Sequence, residues 1–152
     1  MAEKLQFELV SPEKLLLSEQ VAMVVVPGAE GNFGVLPGHA LLISTVRPGV
    51  IDVYAEEQSR ISERIFVAGG FAEVTPERCT VLADEALPLS ALDRGAIEQQ
   101  ARTLTATLAS LTDQAARAQG PERDQLLAEA VAAERRLGVA NAKLAALAAG
   151  SG

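Results

Sequence analysis

PGAEGNFGVLPGHA, residues 27–40, sets four glycines and two prolines in fourteen positions, between two apolar, β-branched runs, VAMVVV and LLISTV. That density of breakers predicts a structured turn region joining strands, one that no strand or helix runs through. Phe33, Val35 and Leu36 make it apolar enough to dock on something, and ordered loops of that kind commonly carry function. Gly28, Gly31 and Gly34 recur every third residue. That is neither Gly-x-Gly-x-x-Gly nor a glycine loop closed by Gly-Lys-Ser/Thr, so a phosphate cradle is excluded.

Outward from this stretch the first half reads as short strands. Leu5-Gln6-Phe7-Glu8-Leu9 alternates apolar and polar, the mark of a half-buried strand. Lys14–Leu17 predicts a short strand, and Val21–Val26 one covered on both faces. Leu41–Val46 and Val50–Tyr54 follow, parted by Arg47-Pro48-Gly49. Ser59–Ala68 is expected to pair back, with Ile61, Ile65 and Val67 on one face. Gly69-Gly70 should break or bulge that ladder, Phe71–Val74 resume it, and Thr80–Ala83 complete the set. Strands at this spacing predict an antiparallel β-sandwich or flattened barrel.

From Ser90 the period changes. Ser90 with Asp93 reads as a helix start. Ile97, Ala101, Leu104, Leu108, Leu111 and Ala115 follow at alternating spacings of four and three. Gly120-Pro121 ends this helix and opens a second, with Pro121 in the first helical position and Glu122 and Asp124 in the first turn. Leu126, Ala130, Ala133, Leu137, Ala140, Leu144 and Leu147 continue the same spacing. Two such seams predict an antiparallel helical hairpin. Its alanine-rich seam and the mid-helix Gly138 make it marginal alone, so it is expected to depend on docking.

Composition separates the halves. Of the 152 residues, 1–89 carry 6 Lys/Arg against 13 Asp/Glu, whereas 90–152 carry 7 against 7. Twelve of the fourteen valines and all five aromatics precede residue 90. A boundary is expected near Leu87-Pro88-Leu89, giving a sandwich over 1–88 and a hairpin over 89–152. The net charge of −7 argues against a nucleic-acid partner. The chain opens without a secretory leader and holds no run of 18 apolar residues, so it reads as soluble and intracellular. Cys79, in an apolar run, reads as a buried small hydrophobe. His39 is the only histidine and has no visible nucleophile or clustered ligands, and the adjacent Asp84 and Glu85 face opposite ways on a strand. Neither a catalytic nor a metal site is expected.

EGNFGVLPGHA at 30–40 resembles the EG-x-x-G-x-x-PGHA signature of the epsilon subunits of F-type ATP synthases. ELVSPEKLLLS, Arg47-Pro48-Gly49, VAGGFAEV at 67–74 and TVLADEA at 80–86 agree in order, so the resemblance covers about the first 88 residues. It implies a non-catalytic central-stalk subunit that couples the γ shaft to the c-ring, with no cofactor of its own. The complex would sit at the cytoplasmic face of the inner membrane, and this chain would touch the membrane only through it. Glu30, Gly31, Asn32, Phe33, Gly34, Pro37, Gly38 and His39 are the expected docking residues, with Asn32 where many members carry an acid. An extended hairpin would meet the α/β catalytic subunits and block ATP hydrolysis, with Arg94, Arg102, Arg123, Arg135 and Arg136 as the candidate contacts. The family's ATP-binding motif, [Ile/Leu]-Asp-x-x-Arg-Ala, is broken here: Leu92-Asp93 is followed by Arg94-Gly95-Ala96-Ile97, with Ala96 in the arginine position. ATP binding is therefore not expected. From the residues alone, a β-sandwich adaptor with a coiled-coil hairpin for unrelated partners is the alternative.

Overall fold

The computed structural model describes residues 3–150 and divides into two compact units, Met1–Ala91 and Leu92–Gly152. The described residues of the first unit form ten strands. These are β1 (Leu5–Val10), β2 (Leu15–Val21), β3 (Met23–Gly28), β4 (Gly31–Val35), β5 (Leu42–Val46), β6 (Gly49–Tyr54), β7 (Glu63–Val67), β8 (Gly70–Val74), β9 (Arg78–Ala83) and β10 (Ala86–Pro88). They form one curled sheet in the order β10-β7-β6-β3-β5-β8-β9-β1-β2, with β4 also on β3. A single pairing, Gly28 with Val46, links β3 to β5 at the corner where the sheet folds over. The expected sandwich is present. Every ladder among the described residues is antiparallel except β1–β9, which is parallel.

Alternation along the strands builds the core. Leu5, Phe7 and Leu9 of β1, Ile51 and Val53 of β6, and Cys79, Val81 and Ala83 of β9 all point inward and are buried. No charged or polar residue is buried among those described.

Several strand expectations need correction. Strands do run through the glycine-proline stretch: β3 continues through Pro27 to Gly28, and β4 runs back from Gly31 to Val35. Ala29 and Glu30 alone form the turn, so the stretch is a tight hairpin. Glycine is required beside that turn, since a Cβ on Gly28 would meet the Gly31 carbonyl oxygen at 2.8 Å and the Phe33 ring at 2.9 Å.

Val21–Val26 is not one strand. The chain bends at Ala22, whose N–H reaches the Tyr54 carbonyl, and beyond it Val24 and Val26 are buried while Met23 and Val25 are partly exposed. The strand expected at Lys14–Leu17 runs on to Val21. The strand covered on both faces is β7, where Ile65, Phe66 and Val67 are all buried, and Ile61 lies outside it. At Gly69-Gly70 the β6–β7 ladder breaks rather than bulges, and Phe71–Val74 does not resume it. Beyond it β8 pairs with β5 and β9 instead, so this is where the chain changes layers. Gly70 has φ +148°, and a Cβ there would lie 1.9 Å from the Leu82 carbonyl oxygen. No other residue lets β9 approach so closely. The short β10 falls where a boundary alone was expected.

The second unit is the expected helical hairpin, α1 (Arg94–Arg117) and α2 (Gly120–Gly150). Every seam residue named from the spacing is buried or half-buried, with Ile97, Ala115, Ala130, Ala133 and Ala140 the most enclosed. The cap differs. Ser90 lies in a short 3-10 turn, Leu89–Ala91, and Asp93 is the N-cap, its Oδ1 accepting from the Ala96 N–H at 3.3 Å. Pro121 is the second residue of α2, after Gly120 at φ +63°.

Candidate docking site

The hairpin fold separates the residues expected to dock. Glu30, Gly31 and Asn32 sit at its tip, all exposed. Phe33 is half-buried against the core and Gly34 is exposed. Pro37, Gly38 and His39 lie beyond the far end of β4, about 17 Å away at 3.3–3.4 Å per residue. There the Gly38 N–H donates to the Pro76 carbonyl at 2.7 Å, which ties the loop to the β8–β9 turn. His39 Nδ1 lies 2.7 Å from the Ala40 carbonyl oxygen, and a carbonyl only accepts, so the ring proton sits on Nδ1. His39 thus fixes its own loop.

At the tip the structure adds a residue that the sequence reading passed over as part of a turn. Arg47 donates through Nη1 to the Gly28 carbonyl and through Nη2 to Asn32 Oδ1, the latter at 2.6 Å. Its backbone N–H also bonds the Pro27 carbonyl at 2.9 Å, and the Ala29 N–H bonds the Thr45 carbonyl at 3.0 Å. The hairpin tip is therefore bound to the β5–β6 corner. Beside it lies an open groove of about 490 Å³, lined by residues that include Glu30, Phe33, Leu42 and Ile43.

A second feature was also missed. Phe71, Leu82, Val10 and Leu15 are successive cross-strand partners over β8, β9, β1 and β2. Phe71, Leu82 and Leu15 are 58%, 46% and 54% exposed, and Ile43 on neighbouring β5 is 77% exposed. An apolar row thus runs across the outer face of four strands, which a monomer has no reason to display. A β-bulge between Leu9 and Val10 helps turn Leu15 and Leu16 outward. The signal was present in the sequence, since Ile43, Phe71 and Leu82 are apolar at positions where alternation calls for polar residues.

The helical arginines do not converge. Arg94, Arg102, Arg123, Arg135 and Arg136 are all exposed. Arg102 donates to Gln99 Oε1 at 2.8 Å, and Arg117 pairs with Asp113. Arg135 and Arg136 point about 100° apart around α2. Among the described residues no three His, Cys, Asp or Glu side chains cluster as metal ligands would. Cys79 is fully buried, and burial pushes its thiol up to about 12, far from a reactive thiolate. No helix among the described residues is long and apolar enough to cross a membrane.

With this geometry in hand, sequence comparison is decisive. Residues 4–89 match the beta-sandwich domain of the ATP synthase delta/epsilon chain family. The chain belongs to that family. An ATP synthase epsilon chain of Rhodospirillum rubrum is 52% identical over 136 residues, which span 90% of this chain and 99% of that one. That of Rhodospirillum centenum is 70% identical over 103 residues, 66% of this chain and 70% of the relative. The fold also matches a chain in the Euglena gracilis mitochondrial ATP synthase, solved with its OSCP, F1 and c-ring. The TM-score is 0.72 at 24% identity, over 95% of this chain and 81% of that one. The epsilon-chain relationship thus spans both the sandwich and most of the hairpin.

Proposed function

We propose that this chain is a non-catalytic rotor subunit of a proton-translocating ATP synthase, joining the γ shaft to the c-ring at the cytoplasmic face of the inner membrane. The observation that carries the reading is the exposed apolar row of Phe71, Leu82, Val10 and Leu15 on a family-typical sandwich. That face docks on the γ shaft. The hairpin tip at Ala29–Glu30, outside the row, meets the polar loops of the c-ring. The helical unit is regulatory, and in an extended form it reaches the α/β catalytic subunits and slows ATP hydrolysis.

Covering a large apolar side chain contributes about 1.5–3 kcal/mol. Phe71→Asp or Leu82→Asp should therefore weaken binding of the full chain to a γ–c-ring assembly about ten-fold or more. Both side chains are exposed, so the variants keep the fold. Binding kinetics on immobilised assembly test this, and wild-type affinity in both variants refutes the assigned face. For the hairpin, removal of residues 92–152 should raise ATP hydrolysis by the reconstituted complex, and Arg135→Ala with Arg136→Ala should give part of that rise. Equal rates in all three complexes would leave the hairpin without an inhibitory role.

A further inference from the structure

We infer that Arg47 is the positioning residue of the hairpin tip, holding Ala29 and Glu30 in the conformation in which they dock. The inference rests on the reading of that tip as a contact with the c-ring. Its two acceptors, the Gly28 carbonyl and the Asn32 carboxamide, flank the two-residue turn on either side. A planar guanidinium reaches both at once, which a lysine ammonium on a flexible stem does not reproduce. The rest of its anchorage is backbone: the Ala29 N–H bonds the Thr45 carbonyl at 3.0 Å and the Arg47 N–H bonds the Pro27 carbonyl at 2.9 Å. Gly31, at φ +139°, has open space around its Cβ position, and Glu30 is exposed without an ion pair among the described residues.

Arg47 is itself exposed, and both of its side-chain acceptors are neutral. The guanidinium therefore braces the tip without being neutralised. An aspartate at position 32 would preserve the brace as a charge-assisted bond. The exchange of an acid for Asn32 thus leaves the geometry of the tip intact while changing its charge. A braced turn enters a complex with its ordering cost already met.

The test uses the full chain in two measurements, amide order parameters of Ala29, Glu30 and Gly31, and binding to a γ–c-ring assembly purified without this chain. In the native chain the order parameters should lie near about 0.85, and in Arg47→Ala below about 0.6. Arg47→Ala should also dock about three- to ten-fold more weakly, with Arg47→Lys between the two. Asn32→Asp keeps an acceptor for Arg47 Nη2, so under positioning the order parameters of the tip should stay at about 0.85, and their loss in this variant overturns the inference. Unchanged tip order in Arg47→Ala also overturns it. Ala29→Trp, which obstructs the tip without touching the brace, tests the underlying reading. If Ala29→Trp abolishes docking while Arg47→Ala leaves it unchanged, the positioning role fails alone. If Ala29→Trp docks normally, the tip is not a contact and both ideas fall.

Discussion

The same chemical change, glycine to alanine, should have opposite effects at two positions of this chain. At Gly138 the helix is already formed, the residue is exposed, and an added Cβ meets nothing within 4 Å. Only the conformational cost of glycine remains, about 0.8–1.0 kcal/mol in a helix interior. Gly138→Ala should therefore stabilise the hairpin by about that amount. For a unit of this size about 1 kcal/mol corresponds to roughly 4–8 °C in Tm. At Gly70 the added Cβ would sit 1.9 Å from the Leu82 carbonyl oxygen, at a φ of +148°. The backbone conformation alone costs on the order of 1–3 kcal/mol for an L residue. The overlap with main chain must then be relieved by parting β8 from β9, with loss of ladder bonds. The total should exceed about 4 kcal/mol, against typical domain stabilities of about 5–15 kcal/mol. Circular dichroism of the full chain near 222 nm follows the helices on heating, and amide exchange of Ala72 and Val81 follows the sandwich. A lower helix midpoint in Gly138→Ala would refute the hairpin geometry. Native-like protection in Gly70→Ala would refute the close approach of β8 and β9.

Three further outcomes are expected. Cys79, buried with its thiol pushed up to about 12, should stay unlabelled by a thiol reagent at pH 8 until denaturant is added, and rapid native labelling would contradict its placement. Burial foremost, then the nearby Glu63 carboxylate, raises the pKa of Glu19, so its contribution to stability is full below the ordinary glutamate range and is lost as pH rises through the raised value. Glu19→Gln should thus stabilise the chain at pH 7 relative to pH 4 in urea titrations, and an identical pH profile in both proteins would count against this. Calorimetry should detect no micromolar ATP binding, because Ala96 stands in the arginine position of the motif, and tight binding would redirect attention to Arg94.

The helical unit was legible nearly residue by residue. A spacing of four and three maps directly onto one helix face, and each seam residue lies on it. The cap differs because Ser90 and Asp93 are both good N-caps, and the 3-10 turn Leu89–Ala91 takes up Ser90 and leaves the capping to Asp93. In the sandwich, alternation identified β1 and its buried residues. It could not identify partners. That β8 leaves the β6–β7 ladder for β5 and β9 depends on a backbone contact at Gly70, which no local pattern encodes. Glycine density at 27–40 reads as a break in structure, whereas Gly28 permits a turn tight enough for strands on both sides. Arg47 escaped notice because its acceptors lie 15 and 19 residues away in sequence.

The parallel pairing of β1 with β9 also constrains when this chain can fold. Leu9 lies opposite Val81, 72 residues later, and β1 is an interior strand between β9 and β2. At synthesis rates of about 5–20 residues per second, β9 arrives about 4–14 s after β1 itself. Throughout that interval β1 can pair only with β2, and one edge of LQFELV stays unmatched. The first strand made thus waits for the last long strand of the sandwich, and contacts of such sequence separation are slow to close. A nascent chain stalled before residue 78 would present that edge to neighbours on the same polysome. Its acidic character, 11 carboxylates against 5 basic groups over 1–77, gives such chains a like charge, by which they repel one another.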